Sequence, residues 1–374
     1  MMERLVKLFK KQITITLCAI ICGFIVVAVI LACTGYQPLE AFSILFQGIF
    51  SKPKYIVNVI VKATPIILTG LSVVFAFKVG LFNIGAEGEY IIGTIVATVV
   101  GILVDLPFIL LFPLIVLSGV AAGALYGALI GFLKAKFGIH EVITGIMLNW
   151  IAFYGSNFIV TLDRFHKPDS SFTYDINQSG MDIIYQWKNT EAGKEAVRQN
   201  PLLLETVGKT DLNIGILLAV LTAIVIFIIL KKTTKGYTLR SVGMNKEAAR
   251  CAGIHVEKNM IHAMMIAGAV AGAAGALTVT GVSHNLMTLA VTENYGFNGL
   301  SVAMLAGNSP IGTIFAGLLF AGLSYGGGSI QSSIGAPSEI INIMIGTIVF
   351  FVAIANLFPM IVEKIAGREG RKSE

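Results

Sequence analysis

The chain has 374 residues, of which 55% are hydrophobic and 13% are charged, and its mean hydropathy is +0.82. A water-soluble domain with so few charged residues would not cover its surface, so this composition excludes a soluble globular protein and predicts an integral membrane protein. The formal net charge is +6 and the pI is about 9.0, but the basic residues lie between apolar stretches, which indicates membrane topology and argues against nucleic-acid binding.

Apolar stretches follow one another along almost the whole chain. A bilayer core of about 30 Å requires about 20 helical residues for each crossing. The sequence therefore predicts an all-α, polytopic membrane protein with about ten transmembrane helices. A shorter apolar stretch at 39–50 is predicted to be an interfacial or re-entrant segment. The predicted spans are 13–32, 56–77, 81–103, 108–133, 142–160, 214–230, 261–279, 300–305 with a weak continuation to 316, 317–324 with its flanks, and 340–358.

Lysine and arginine are concentrated in four parts of the chain: the two terminal tails, the connection after the fourth span and residues 231–258. With ten spans all four parts lie on one side, and the positive-inside rule makes that side cytoplasmic. Both termini of this multi-pass protein are therefore expected in the cytoplasm, with the lipid of the inner or plasma membrane around the spans. The connection at 161–211, in which eight acidic residues outnumber six basic ones, is expected outside the cell as a loop or small folded cap.

The long connection divides the predicted spans into two groups of five. Since an odd number of spans gives the two groups opposite orientations, the sequence predicts an inverted 5+5 repeat, as in many transporters. The predicted domains are a first transmembrane half at 1–160, the extracytoplasmic loop at 161–211, a second transmembrane half at 212–362 that includes a cytoplasmic coupling loop at 231–259, and a cytoplasmic tail at 363–374.

Small residues recur at every fourth position on one face of two predicted spans. Lipid offers no hydrophobic drive between helices, so close backbone contact at small residues must hold them together. These positions therefore predict helix packing, with the lining of a pathway as the alternative. They are Gly119, Gly123, Gly127 and Gly131 in the fourth span and Gly268, Gly272 and Ala276 in the seventh.

A compact polar segment at 231–258 separates the sixth span from the seventh. At its centre the sequence NKEAARCAG predicts a short surface helix that Asn245 caps and Gly253 ends. Glu247 lies in the first turn, where a carboxylate complements the helix dipole. The alanines of this helix leave a low-relief surface that would fit a groove of another protein. An ordinary amphipathic helix at the lipid headgroups is the alternative.

The run Glu247-Ala248-Ala249, followed by three residues and Gly253, resembles the EAA loop of ATP-binding-cassette importer permeases. In that family a short cytoplasmic helix docks into the ATPase. The downstream Leu-Pro of the loop is absent here, as in the branch of the family with abbreviated coupling loops. The resemblance implies that the ATPase-coupling residues are Glu247, Ala248, Ala249, Arg250 and Gly253.

Further segments resemble the simple-sugar and nucleoside permeases of the same family, which also includes branched-chain amino acid and ribose permeases. They are GLFNIGAEGE at 80–89, EVIT and MLN within 141–149, GYTLRSVG at 236–243 and GFNGLSVAML at 296–305. The loop at 161–211 resembles the larger of two paired nucleoside permease subunits. The resemblance implies a permease subunit for nucleosides or related simple sugars. It also implies a cytoplasmic ATPase, a second permease subunit in a heterodimer and an extracytoplasmic substrate-binding protein as partners.

Four polar residues in these segments are candidates for the substrate pathway: Asn83, Glu87, Asn149 and Asn298. Irregular backbone and carboxylates at membrane depth are tolerated where protein or a water-filled cavity satisfies them. Amide side chains are also suited to a sugar or a base. The alternative for each residue is structural, as an interhelical hydrogen bond or as part of a turn near the headgroups.

No nucleotide-binding loop is present, because Gly208-Lys209-Thr210 lacks the glycine that such a loop has at the position of Leu203. The chain is therefore not predicted to be an enzyme. Its five histidines and four cysteines show no metal-ligand spacing, so neither a metal nor another cofactor is predicted. The alternative function is an ion-coupled secondary transporter of a small polar solute, which Glu87, Glu293 and Glu339 leave open.

Overall fold

A computed structural model describes residues 12–354 of the chain. The regular secondary structure of these residues is helical, so the predicted all-α class is confirmed. The basic N-terminal tail, the end of the tenth predicted span and the predicted tail at 363–374 lie outside the described residues.

Sixteen α-helices follow one another in the described part of the chain. Seven of them, α3, α4, α5, α6, α10, α13 and α15, are long and apolar enough to cross a membrane. Helices α1 and α16 match the first and tenth predicted spans, and the short stretch at 39–50 is the helix α2. The polytopic architecture is confirmed. The bounds are α1 Gln12–Cys33, α2 Pro38–Phe50, α3 Pro53–Phe77, α4 Ala86–Leu103, α5 Phe108–Phe137, α6 Glu141–Thr161, α7 Ile183–Asn189, α8 Glu191–Gln199, α9 Pro201–Leu203, α10 Gly215–Lys232, α11 Thr234–Met244, α12 Lys246–Cys251, α13 Val256–Thr278, α14 Tyr295–Leu305, α15 Pro310–Ile334 and α16 Ser338–Ala353.

The chain forms two compact units. The larger unit, Lys52–Ala321, holds α3 to α14 and the first part of α15. The second combines Met1–Ser51 with Gly322–Glu374, and its described part holds α1, α2, the end of α15 and α16. Packing thus groups pieces of both sequence halves. The predicted halves on either side of 161–211, and their inverted repeat, stay predictions.

The contact between α5 and α13 forms the centre of the larger unit. A Cβ atom at Gly123 would overlap the carbonyl oxygen of Gly268, and a Cβ atom at Gly268 would overlap that of Gly123. At Gly119 the added atom would lie 2.7 Å from the Cβ of Ala276. The two stripes of small residues therefore pack against each other, and their predicted packing role is confirmed.

The eighth predicted span, at 300–305 with a continuation to 316, is wrong in its extent. Helix α14 ends at Leu305, and Gly307 and Asn308 then turn the chain with φ of +59° and +55°. Its 11 residues give a length of about 16 Å, roughly half of one crossing. The non-helical residues 284–294 supply the rest of this passage through the larger unit.

The two ends of the larger unit differ in chemistry. One end, here called the basic end, carries Lys134, Lys231 and Arg240. Burial lowers the pKa of the Lys78 amine, and the charges of Lys231 and Arg240 lower it further, which places the end of α3 there too. The opposite end, here called the loop end, carries residues 162–213.

Residues 162–213 fold into a cap that is bonded to the spans. Asp182 is only 1% exposed, and its two carboxylate oxygens accept hydrogen bonds from the backbone N–H groups of Ile184 at 2.8 Å and Ile214 at 3.0 Å. These bonds join the starts of α7 and α10. The Asn177 side chain donates to the carbonyl oxygen that follows α4 at 2.7 Å. The loop is therefore ordered by specific contacts and is not a slack linker.

Candidate functional site

Two helices of the larger unit, α4 and α14, begin inside the bundle. Asn83 and Gly85, which precede α4, are buried, with Asn83 only 1% exposed, and Gly296 in the first turn of α14 is buried as well. The first N–H groups of any helix lack partners within that helix. In a buried place they need acceptors from other side chains. The starts of α4 and α14, with the side chains that bind them, are called the helix junction below: residues 83–89, Asn149 and 294–296.

Glu87 caps α14 from the first turn of α4. Its Oε1 accepts a hydrogen bond from the backbone N–H of Asn294 at 2.9 Å, and its Oε2 accepts one from Gly296 at 2.6 Å. The side chain is fully buried. The N-cap residue of α14, Asn294, gives the helix no side-chain cap of its own. The carboxylate therefore satisfies the open end of α14 and complements its dipole.

Asn149 of α6 caps α4 in the same manner. Its Oδ1 accepts a hydrogen bond from the backbone N–H of Gly88 at 2.7 Å, and its Nδ2 donates to the carbonyl oxygen of Ile84 at 3.0 Å. One turn earlier, a Cβ atom at Gly145 would lie 2.8 Å from the backbone nitrogen of Gly85. Close approach and capping together fix α6 to the start of α4.

Asn83 completes the junction on the side of α3. Its Nδ2 donates to the hydroxyl of Ser72 at 2.9 Å and to Oε2 of Glu89 at 2.8 Å. Glu89 is fully buried, and a Cβ atom at Gly127 of α5 would lie 2.8 Å from its Oε1. This cluster joins α3, α4 and α5 through one amide and one carboxyl group.

The structure brings three of the four pathway candidates together. Asn83, Glu87 and Asn149 are buried and bonded within the helix junction, although they come from separate parts of the chain. Asn298 lies one turn into α14 and is half-buried, and its side chain has no hydrogen-bond partner among residues 12–354. The role of these four residues in a substrate pathway stays a prediction.

Replacing Glu87 by glutamine should loosen α14. A carboxamide has one acceptor oxygen, so one of the two backbone N–H groups would face an NH2 group and lose its partner. We expect a loss of about 1–3 kcal/mol in stability and at least a roughly ten-fold loss of transport. Thermal unfolding in detergent and transport assays measure both effects. The control is Glu191→Gln, because the Glu191 side chain is 95% exposed. Wild-type stability of Glu87→Gln would contradict the capping role.

The short helix predicted around 245–253 is present as α12, Lys246–Cys251. The Oδ1 of Asn245 accepts a hydrogen bond from the backbone N–H of Ala248 at 3.0 Å. Gly253 has a φ of +76°, a left-handed conformation that glycine adopts without strain from a Cβ atom. Both predicted end signals of this helix are confirmed.

Most of the predicted coupling residues are exposed on α12. Ala249 is 4% exposed and packs inward, while Glu247, Ala248, Arg250 and the following Gly253 are exposed. Two carboxylates order this surface, since the Arg250 guanidinium bonds Glu247 at 3.2 Å and Glu257 at 2.7 Å.

Met244, at the end of α11, is a surface residue that the sequence reasoning missed. It is 88% exposed immediately before α12. A flexible apolar side chain in this position is suited to contact with a partner. In the sequence, the feature that could have indicated this residue is a single methionine within an otherwise polar segment.

Helix α11 connects α12 to the helix junction. A Cβ atom at Gly243 would overlap the carbonyl oxygen of Lys78, and a Cβ atom at Gly80 would lie 3.4 Å from the carbonyl oxygen of Gly243. The turn at Lys78 and Gly80 leads directly into Asn83. A displacement of α11 would therefore press on the backbone that carries the junction.

Known proteins are similar in sequence to this chain over most of its length. A family model described as branched-chain amino acid transport system / permease component matches residues 55–353. The chain belongs to this permease family. The permease is 36% identical over 355 residues to the guanosine ABC transporter permease protein NupP of Bacillus subtilis. The matched region covers 95% of the permease and 97% of NupP.

Two further relatives extend this comparison. The permease is 34% identical to the nucleoside ABC transporter permease protein NupB of Lactococcus lactis, over 95% of the permease and 94% of NupB. It is 29% identical to the glucose ABC transporter permease protein TsgB13 of Haloferax volcanii, over 88% of the permease and 84% of TsgB13. No solved structure matches the permease significantly.

Family membership decides the class of protein. The permease is a multi-pass membrane component of an ATP-binding-cassette importer, which works with a separate ATPase and a substrate-binding protein. It is not itself an enzyme. The ion-coupled secondary transporter, which the composition left open, is thereby rejected.

Proposed function

We propose that the permease forms the translocation pathway of an importer for nucleosides. The observation that carries this proposal is the likeness, over 95% of the chain, to two permeases named for guanosine and for nucleosides. The relative named for glucose is less similar, at 29% identity. Related simple sugars are the second substrate class.

We infer that the basic end faces the cytoplasm, together with both termini. The lysines and arginines at this end support the orientation through the positive-inside rule. The cap at 162–213 then faces outward and receives the substrate-binding protein. Helix α12 docks into the ATPase, and the exposed Ala248 and Met244 beside it support this assignment.

The coupling is mechanical in this proposal. Closure of the ATPases displaces α12 and α11, and Gly243 transmits the displacement to the turn at Lys78. That turn leads to Glu87, which holds the start of α14. The helix junction thus has two arrangements, one for each direction of access, and the docked ATPase changes their populations.

A second, different permease subunit completes the pathway. Asn83, Glu87 and Asn149 keep the walls of the pathway in place, because their polar groups bind helix ends within the subunit. The half-buried Asn298 of α14 supplies an amide to the pathway itself.

Reconstituted uptake tests the proposed function. The permease, the second permease and the ATPase are placed in proteoliposomes with the binding protein outside and ATP inside. We expect uptake of radiolabelled guanosine, and none with an ATPase that cannot hydrolyse ATP. Glucose serves as the competing substrate. Uptake of glucose without guanosine would overturn the nucleoside assignment, and uptake driven by an ion gradient without the ATPase would overturn the mechanism.

A further inference from the structure

Residues 284–294 run without helix from the loop end into the larger unit, and are called the descending segment here. Near its start, the Leu286 carbonyl oxygen accepts a hydrogen bond from the backbone N–H of Thr173 in the cap at 2.9 Å. At its end, the backbone N–H of Asn294 donates to Glu87 at 2.9 Å. The segment therefore connects the cap with the helix junction.

Tyr90 shows how deep this segment reaches. It precedes Leu103, the loop-end residue of α4, by thirteen residues, or about 20 Å along a helix. Its hydroxyl donates to Oε2 of Glu293 at 3.1 Å. Glu293 thus lies about two thirds of the way through a hydrocarbon core of about 30 Å. Non-helical backbone at such depth is tolerated where it is buried in protein or lines a water-filled cavity.

A cavity of about 250 Å³ lies between the descending segment and helices α4, α6 and α13. Its volume is near the lower limit of small-molecule pockets, about 300 Å³, which suits a small solute. Several of its lining side chains are exposed, so solvent enters it. The lining residues that matter here are Tyr90, Thr94, Ser156, Phe172, Met287 and Glu293.

Two polar groups in the lining of this cavity lack a hydrogen-bond partner among the described residues. The Oε1 of Glu293 and the hydroxyl of Ser156 have no hydrogen-bond partner in the described part of the chain. Ser156 is only 1% exposed, and a buried hydroxyl is normally satisfied by a protein, water or ligand group. The Tyr90 hydroxyl holds the Glu293 carboxylate in place, so its second oxygen is presented to the cavity.

The chemistry of the lining selects one class of solute. A carboxylate accepts hydrogen bonds from sugar hydroxyls, as acidic residues do at ribose in dinucleotide sites. The ring of Phe172, which is 42% exposed, offers a face on which a planar base packs. A phosphate ester would bring a like charge beside Glu293 and would be repelled.

We propose that this cavity is a nucleoside-binding vestibule of the permease, in which Glu293 accepts hydrogen bonds from the ribose hydroxyls and Phe172 packs against the base. The site rests on the proposed function, because it assumes that nucleosides are the substrate. Ser156 provides a further hydroxyl beside the bound sugar. The vestibule opens toward the loop end and ends at Tyr90, which directly follows Glu89 of the helix junction.

Substrate protection in the assembled transporter tests this site. Cys33 and Cys251, the exposed native cysteines, are replaced by serine, and Met287→Cys is added at a position that lines the cavity and is 48% exposed. A small membrane-impermeant methanethiosulfonate is applied from the loop end with guanosine, 2′,3′-dideoxyguanosine or guanosine 5′-monophosphate. We expect guanosine to slow the labelling. In the presence of either of the other two compounds, labelling should be about ten-fold faster than with guanosine. Ala192→Cys, an exposed position of α8, should label at the same rate in every condition.

A second variant tests the carboxylate. Glu293→Gln should abolish the protection by guanosine, whereas Glu191→Gln should retain it. Guanosine uptake by the cysteine-substituted transporter is measured first. Intact uptake without labelling at Met287, or with equal protection by all three compounds, would overturn the vestibule and leave the proposed function standing. Absence of uptake with any nucleoside, in the unmodified transporter as well, would overturn the substrate class and with it the ligand of this site.

Discussion

Replacing Gly123 by leucine should separate α5 from α13 and leave little folded permease. Even one added carbon at Gly123 would overlap the carbonyl oxygen of Gly268 and lie 2.7 Å from the Cα of Gly272. Both obstacles are backbone atoms, which cannot rotate away as a side chain does. We expect a loss of about 3 kcal/mol, at the upper end of the usual cost of overpacking, and loss of the monodisperse peak in detergent chromatography.

The matched control for this prediction is Gly155→Leu. Gly155 belongs to α6, another membrane-spanning helix, and no atom lies within 4 Å of a Cβ added there. The same gain in side-chain volume should therefore leave the unfolding temperature and the yield near those of the unmodified protein. If both variants were equally stable, the α5–α13 contact would not hold the bundle together. If both were lost, the cost would come from leucine insertion in general.

The sequence predicts the regular helices of this protein well because their signal is physical and local. A run of about 20 apolar residues satisfies its own backbone only as a helix. Regular four-residue spacing placed Gly123 and Gly268 on packing faces, and the structure confirms the contact. The sequence did not show that the two stripes meet, because the spacing of small residues within one helix does not identify the helix that packs against it.

The predicted extent of the eighth span was wrong for a specific reason. Hydropathy averages over a window, so it joined the apolar residues on either side of Gly307 and Asn308 into one weak span. The positive φ of these residues ends the helix, while the passage before Tyr295 is made by non-helical backbone. Such backbone has no periodicity, and its partners, Glu87 among them, lie far away in the sequence.

The two candidate sites differ in how much the sequence could show. The ends of α12 follow from local rules, since Asn245 caps the next turn and Gly253 turns left-handed. The helix junction depends on pairs such as Asn149 with Gly88, which are 61 residues apart. Polarity marked these residues as unusual, but only packing shows which helix end each one caps. The pairing of Tyr90 with Glu293 had no local signal.

Replacing Ala248 by arginine should stop transport without unfolding the permease. Ala248 is exposed on α12, so a long charged side chain has room in the isolated subunit. In the proposed complex the same position lies in the groove of the ATPase, where the added volume and charge would be excluded. We expect normal membrane insertion and unfolding temperature, loss of ATPase co-purification, and at least a roughly ten-fold fall in ATP-driven uptake.

The control is Ala192→Arg in α8, an exposed alanine in a helix at the loop end. It makes the same chemical change on the opposite end of the protein, so ATPase association should be unimpaired there. Met244→Ser complements the pair, because it removes an apolar group that is 88% exposed and should weaken association without adding volume. Retained co-purification and transport in Ala248→Arg would place the docking surface elsewhere. Loss of association in both alanine variants would point to a general effect of added positive charge and remove the argument for α12.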